Sequence, residues 1–446
     1  MENLTGKEVA AMQQQYVMQS WSKQGNPALP IEKAEGIYFW DYEGKKYADM
    51  SSLLVCSNLG HSNKEIVEAI KEQADKFCFM APGYATEAKS KLAKMLVDVA
   101  GSDTYRRVFF TNGGADANEN AIKMARMVTG RLKIFSCYRS YHGATLGASN
   151  ASGDWRRFAA EIGGANGFVK FMNPHMYQDG YTRGLDDAAC RQDALKRLEE
   201  QMRYEGTDNI AAVLMESIVG ANGVILPPDG YMEGVRALCD KYGIMMICDE
   251  VMAGFARTGK MFAWQNYDIK PDMITMAKGI NCGYVPLGGV IVNEKIDEYF
   301  KENVLQCGLT YSGHTLACAA GVAALNYYAD HNICGHVKEM EKVLSDFLNK
   351  MVEKHACVGE ARCIGLFSAL EIVKDKEKRT PMAEYHSSEP VMSTIMGELK
   401  KRGFSTFGRE NNINVCPPLV ITAEELAEYL PILDEVLTWV DETYLK

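Results

Sequence analysis

Between about residues 60 and 325 the chain alternates short apolar runs with stretches of helical periodicity, the pattern of a mostly parallel sheet covered by helices. The runs RVFFTN (107–112), AAVLMES (211–217), GIMMICDE (243–250), DMITMA (272–277) and LGGVIVN (287–293) are almost continuously apolar rather than alternating. That predicts strands buried on both faces. Helix starts are also legible. Asp116 followed by Glu119 predicts a capping box at the head of DANENAIKMARMV. Thr422 followed by Glu425 predicts another, opening a helix with Leu426, Leu430, Leu433 and Leu437 on one face. Pro431 is expected to kink that last helix.

Outside this region the pattern changes. GIYFWDYEGKKYADM, punctuated by Gly36 and Gly44, predicts a small antiparallel hairpin near the N-terminus, and after about residue 330 the chain turns helix-rich. The expected organisation is a large cofactor domain over 61–325 and a smaller α+β domain built from both chain ends, 1–60 and 326–446. No internal repeat or low-complexity stretch interrupts it.

Composition narrows the function classes. At 446 residues, 47% hydrophobic and 24% charged, the chain has ample core material for a globular enzyme. A formal charge of −10 argues against nucleic acid or an anionic membrane as partner, so an anionic substrate must be drawn by local basic groups. The N-terminus lacks a cationic stretch followed by an apolar core, and no run approaches the ~20 apolar residues of a membrane span. A cytoplasmic address is expected. The 13 cysteines are scattered, many inside apolar runs (Cys248, Cys318), as for reduced thiols. His355, Cys357 and Cys363 come nearest to a metal pattern, but no CxxC accompanies them and no metal is expected.

The chemistry concentrates at the ends of the apolar runs. Asp249 closes the most apolar one and Lys278 follows another, in ITMAKG. A lysine that forms an imine with an aldehyde cofactor, and an aspartate that keeps a ring nitrogen protonated, are the pair behind pyridoxal phosphate chemistry. A buried carboxylate at Asp249 needs a partner, which a pyridinium would supply; an ion pair with Arg257 or an N-cap role would serve equally. A desolvated ammonium at Lys278 suits imine formation, whereas an ordinary lysine at a strand end is solvated and inert. Gly113 and Gly114, in FTNGGADANENA, expose backbone N–H groups at a helix start, an anion site if not merely a tight turn. Tyr141, in RSYHG, offers a ring face to a flat cofactor, or is a core tyrosine beside a turn. No strand is followed by GxGxxG with an acidic residue ~20 positions on, which argues against a nicotinamide dehydrogenase.

Taken together, TNGGADANENAIKMAR, SYHGATLGA, MESIVGANGVILPPDGY, ICDEVMAGFARTGKMFA, ITMAKG and LTYSGHTLACAAG resemble, in chain order, the class III aminotransferases, pyridoxal phosphate enzymes of fold type I. The resemblance runs from about residue 30 to the C-terminus. It implies that Lys278 forms the imine and shuttles the proton, that Asp249 binds the pyridinium nitrogen, and that Tyr141 and Val251 sandwich the ring. It further implies that Gly114 and Ala115 offer N–H groups to the phosphate, that Glu216 lies near the phenolic oxygen, and that Thr310 reaches the phosphate of a neighbouring subunit. A homodimer with shared active sites follows, or a tetramer built from it. His142 is expected to be structural.

Several positions depart from the family pattern. The phosphate loop, commonly serine–glycine–serine–glutamate, is here Gly113, Gly114, Ala115 and Asp116, so backbone contacts must dominate. Ser217 stands where a proline is common, and Arg409 lies near but outside the register of the arginine that binds a substrate carboxylate; a solvated surface arginine would look the same. The ESIVGANGVILPPDGY and TYSGHTLACAAG versions look most like the ω-amine:pyruvate branch. That implies a small ω-amino acid or aminosulfonate, taurine or β-alanine, as donor and pyruvate as acceptor. Ala221 would leave room near the cofactor, and Leu54 and Val55 would line the entrance with Trp21 near it. A 2-oxoglutarate-dependent aminotransferase, an aminomutase, a decarboxylase and a racemase share these motifs.

Overall fold

The structure, a computed structural model, describes residues 4–161, 167–178 and 183–445. Near the N-terminus β1 (Ile31–Glu35), β2 (Tyr38–Asp41) and β3 (Lys46–Asp49) form an antiparallel meander. Its two turns carry Gly36 and Gly44 at φ 58° and 80°, a region that only glycine enters without steric cost. The expected hairpin is present with one strand more.

Seven strands make the central sheet: β4 (Tyr105–Thr111), β5 (Lys133–Cys137), β6 (Phe168–Phe171), β7 (Ile210–Glu216), β8 (Met245–Asp249), β9 (Met273–Met276) and β10 (Gly288–Asn293). Their order is β4-β10-β9-β8-β7-β5-β6, with β10 antiparallel to both neighbours and the rest parallel. Every residue of β7, β8 and β9 is buried, as their unbroken apolar sequence requires. β4 departs from that expectation. It sits at the sheet edge, where Arg106 and Arg107 reach outward to Glu294 and Asp297 at 3.1 and 2.6 Å.

Two helices bear on the capping expectations. The C-terminal helix Ala423–Tyr444 opens with the Thr422–Glu425 capping box and runs on through Pro431. Its Leu426, Leu430, Leu433 and Leu437 are buried, each contributing about 1.5–3 kcal/mol relative to exposure. The helix after β4 instead spans Gly114–Thr129, and no side chain caps it. Glu119 does not turn back to the helix start; it accepts hydrogen bonds from Thr145 Oγ1 and from the N–H groups of Gly147 and Ala148.

The C-terminal third is less purely helical than its sequence suggests. β11 (Val358–Ile364), β12 (Phe367–Asp375), β13 (Thr380–Pro381), β14 (Phe404–Ser405), β15 (Gly408–Arg409) and β16 (Asn412–Val415) lie among helices Ile333–Lys354, Val391–Lys401 and Ala423–Tyr444. β14 pairs in parallel with β3, Phe404 opposite Ala48, so the two ends of the chain share one sheet. Among the described residues no helix is long and apolar enough to cross a membrane.

Candidate active site

β7, β8 and β9 are parallel and in register, which makes Glu216, Asp249 and Thr275 cross-strand neighbours at the C-terminal ends of their strands. Residues paired this way project to one face of the sheet. All three are buried. Just beyond β9 the chain delivers Lys278 with φ 49°, a left-handed conformation that costs a non-glycine residue about 1–3 kcal/mol and persists only where the surroundings impose it.

Glu216, Asp249 and Lys278, with Thr275 behind them, border a cavity of about 530 Å³, within the range of small-molecule and cofactor sites. Lys278, Asp249, Glu216, Tyr141, Val251, Gly114 and Ala115 all face it, and so do Ala221, Leu54, Trp21 and Arg409. One expected residue does not. Val55 is 1% exposed and packs in the core with Ile218, Val224 and Phe367. The cause is a left-handed turn: Ser52, Leu53, Leu54 and Val55 all have φ between 43° and 64°, so Leu54 turns to the cavity while Val55 turns inward. Asp49 Oδ1 holds that turn by accepting from the N–H groups of Ser51 and Leu53. Thr310 is exposed and lies outside the cavity of its own chain.

Asp249 is fully engaged on one side. Its Oδ2 accepts from His142 Nδ1 and Asn118 Nδ2, each at 2.7 Å, while Oδ1 accepts from Val251 N at 3.0 Å. The alternative ion pair with Arg257 is absent. That guanidinium is fully buried and donates to the carbonyls of Leu366 and Pro417, to Ser52 Oγ and to Asn58 Oδ1. Glu216 accepts from the N–H groups of Tyr141 and Gly220 at 3.0 and 2.8 Å. Burial pushes its carboxyl up to about 7; His142 opposes the shift and the charge of Asp249 adds to it. One face of the Tyr141 ring is covered by the Arg156 guanidinium at 3.5 Å, and Trp21 meets the ring edge-on at 6.1 Å.

At the start of helix Gly114–Thr129 the first intrahelical hydrogen bond is Ala117 N–H to Gly113 O, which leaves the N–H groups of Gly114 and Ala115 without an intrahelical acceptor. A Cβ at Gly114 would meet Val251 Cγ1 at 2.8 Å, so this glycine is what lets the helix start approach the residue above Asp249. Uncapped N–H groups at one end of the cavity, a buried carboxylate and a lysine at the strand ends, and an aromatic ring on the wall form a set that fits pyridoxal phosphate.

Arg409 sits in β15 of a tight hairpin, not a free loop, with Glu410 at φ 53° in the turn. Glu410 is pinned by Trp155 Nε1 and the N–H of His386. Burial, with the charge of Arg156 adding, pulls the Arg409 guanidinium below its usual value. It makes no ion pair among the described residues. Arg156, held by Asp154, was not legible from sequence, because nothing in DWRR distinguishes it from a surface arginine. The same is true of Asn118.

The family profile described as Aminotransferase class-III matches residues 20–437. The chain is 32% identical to the taurine–pyruvate aminotransferase of Bilophila wadsworthia over 98% of both chains. It is 33% identical to the mitochondrial gamma-aminobutyrate transaminase 1 of Oryza sativa subsp. japonica, over 95% of this chain and 83% of that one. Among solved structures it is similar to the taurine:2-oxoglutarate aminotransferase from Bifidobacterium kashiwanohense in complex with PLP and glutamate, with 75% identity, full coverage of both chains and a TM-score of 0.98. An (S)-enantioselective omega-transaminase from Thermomicrobium roseum matches with 32% identity and a TM-score of 0.91, again over the whole of both chains. The chain belongs to the class III aminotransferases and is a pyridoxal-phosphate-dependent transaminase of fold type I.

Proposed function

We propose that this transaminase takes the amino group of taurine and passes it to 2-oxoglutarate. The observation that carries the reading is the 75% identity, over the full length of both chains, with a taurine:2-oxoglutarate aminotransferase; the taurine–pyruvate relative stands at 32%. The motif-based expectation of pyruvate is therefore replaced by 2-oxoglutarate as the favoured acceptor. The cavity supports a dicarboxylate, since two guanidinium groups, Arg156 and Arg409, line it in a chain of net charge −10.

When bound, pyridoxal phosphate supplies an aldehyde carbon that captures amines and a ring that takes up an electron pair. Lys278 is assigned to hold it covalently and then, as a free amine, to move the proton off the donor carbon. Asp249 keeps the ring-nitrogen proton in place. Tyr141 and Val251 hold the ring between them, Gly114 and Ala115 bind the phosphate through N–H groups, and Glu216 faces the phenolic side. Thr310, exposed on its own chain, is assigned to the phosphate of a second copy, which makes the active unit a homodimer. Thirteen unbridged cysteines support a reducing, cytoplasmic setting.

Taurine with 2-oxoglutarate is expected to yield glutamate and the sulfonated aldehyde, faster than taurine with pyruvate yields alanine. Product analysis with both acceptors, and with β-alanine as the competing donor, checks it; a higher kcat/KM for pyruvate than for 2-oxoglutarate overturns the acceptor assignment. Arg409 is assigned to the acid group of donor and acceptor in turn, because its fork suits a carboxylate and a sulfonate alike. Arg409→Ala is expected to raise KM for taurine and 2-oxoglutarate by about 10- to 100-fold, the worth of one charge-assisted pair, and to spare an uncharged amine donor. Equal effects on charged and uncharged donors would remove Arg409 from the site.

A further inference from the structure

We infer that Asn118 and Thr275 form a directional relay that aims Asp249 and keeps the shared proton on the cofactor's ring nitrogen. Asn118 lies on helix Gly114–Thr129, packed over the cross-strand row Glu216, Asp249, Thr275. Its amide bridges two members of that row. Thr275 Oγ1 donates to Asn118 Oδ1 at 2.7 Å, and Asn118 Nδ2 donates to Asp249 Oδ2 at 2.7 Å and to the His142 carbonyl at 2.8 Å. All three side chains are at most 3% exposed, so bulk water has little access to these bonds.

The direction of the chain is fixed by chemistry. The amide end that faces Asp249 Oδ2 and the His142 carbonyl, both acceptors, must be the NH₂ group, which leaves Oδ1 toward Thr275 and obliges that hydroxyl to donate. With His142 Nδ1 on the same oxygen, Asp249 Oδ2 is saturated by two side-chain donors, and Oδ1, with one backbone donor, is the oxygen left to face the cavity. The relay also sorts two neighbouring carboxylates. Glu216 and Asp249 are register partners, yet Glu216 receives only two backbone N–H groups while Asp249 receives two side-chain donors and one backbone N–H. Donors on a carboxylate favour its charged form. The negative charge of the pair is thereby held on Asp249, opposite the ring nitrogen, and away from Glu216.

Asn118 and Thr275 touch no reacting atom; they act through Asp249, and the inference rests on Asp249 as the partner of the ring nitrogen. Asn118→Ala is expected to lower kcat about ten-fold or more with little change in KM for taurine. Thr275→Val, which leaves Asn118 Oδ1 without its donor and the amide less firmly held, is expected to lower kcat by a smaller factor, and Thr275→Ser to restore it. In the Asn118→Ala background Thr275→Val should change kcat no further. The readout specific to positioning is the ¹⁵N shift of ring-labelled pyridoxal phosphate bound to each variant, which should move from the protonated toward the neutral pyridine position in Asn118→Ala and Thr275→Val. Wild-type kcat and ¹⁵N shift in Asn118→Ala overturn the relay. If that variant does not fold, identical kcat and shift for Thr275→Val and Thr275→Ser do so. Should Asp249→Asn itself keep normal turnover, the ring-nitrogen assignment fails instead, and the two failures are told apart.

Discussion

Lys278→Ala is expected to abolish transamination, by at least about 10⁴-fold or roughly 5 kcal/mol of barrier, while the fold persists. The loss is large because one side chain serves twice. It is assigned to anchor the cofactor, and among the described residues its amine is the only lysine amine on the cavity wall. Removing Lys278 also replaces a side chain that holds a left-handed backbone, φ 49°, by one that tolerates it no worse, so the fold should not suffer. Borohydride reduction of the wild-type holoenzyme should fix the cofactor to the ITMAKG peptide. Labelling of another lysine, or full turnover in Lys278→Ala, would overturn the assignment. Mixing Lys278→Ala with an inactive Thr310→Ala chain should recover activity on subunit exchange, because one site of each mixed dimer then has both native groups. No recovery between two folded, individually inactive partners argues against Thr310 acting across the interface.

The fold was legible where burial is complete. β7, β8 and β9 announce themselves as unbroken apolar runs because both of their faces are covered, and a sequence has no other way to write that. β4 looks alike in sequence but lies at the edge, a fact set by strand order and not by local composition. The Asp116–Glu119 pattern misled for a positional reason. The helix starts at Gly114, ahead of Asp116, so Asp116 is no N-cap, and Glu119 is turned to a neighbouring helix instead. Val55 was placed beside Leu54 at the entrance by the resemblance, which carries no information on the local backbone conformation. Four successive residues with positive φ turn it inward.

The site was legible only in part, and the division follows sequence distance. Asp249 and Lys278 stand at the ends of visible strands, so their placement could be read locally. Asn118 and His142, the residues that orient Asp249, lie 131 and 107 positions away from it, and only the folded sheet brings them together. Arg156 joins the cavity for a similar reason: it is Asp154, buried and bonded also to Asn222, that fixes it against Tyr141.

Asp249→Asn is expected to slow the chemical step by orders of magnitude, about 3 kcal/mol or more, with cofactor still bound. The substitution keeps the volume and removes the charge, but the hydrogen bonds make it worse than a loss of charge. Asn118 Nδ2 and His142 Nδ1 both donate to the Oδ2 position; Asn118 keeps a second acceptor in the His142 carbonyl, but among the described residues His142 Nδ1 has none. An asparagine must therefore place its single oxygen toward them. Its NH₂ group then occupies the Oδ1 position, facing the N–H of Val251 and the cavity with donors where an acceptor is needed. That NH₂ group would offer a bound cofactor's ring nitrogen a donor in place of an acceptor, which would favour the unprotonated nitrogen and weaken the ring as an electron acceptor. If the amide flipped instead, it would oppose two buried side-chain donors with a third, at a cost of about 1–3 kcal/mol for the donor left unpaired. Either orientation fails. Single-turnover measurements with taurine, made on holoenzyme whose cofactor content has been verified by absorbance, separate the chemical step from binding. A near-wild-type single-turnover rate would mean that Asp249 serves the strand ends as a structural hydrogen-bond acceptor and that the ring nitrogen is managed by another group.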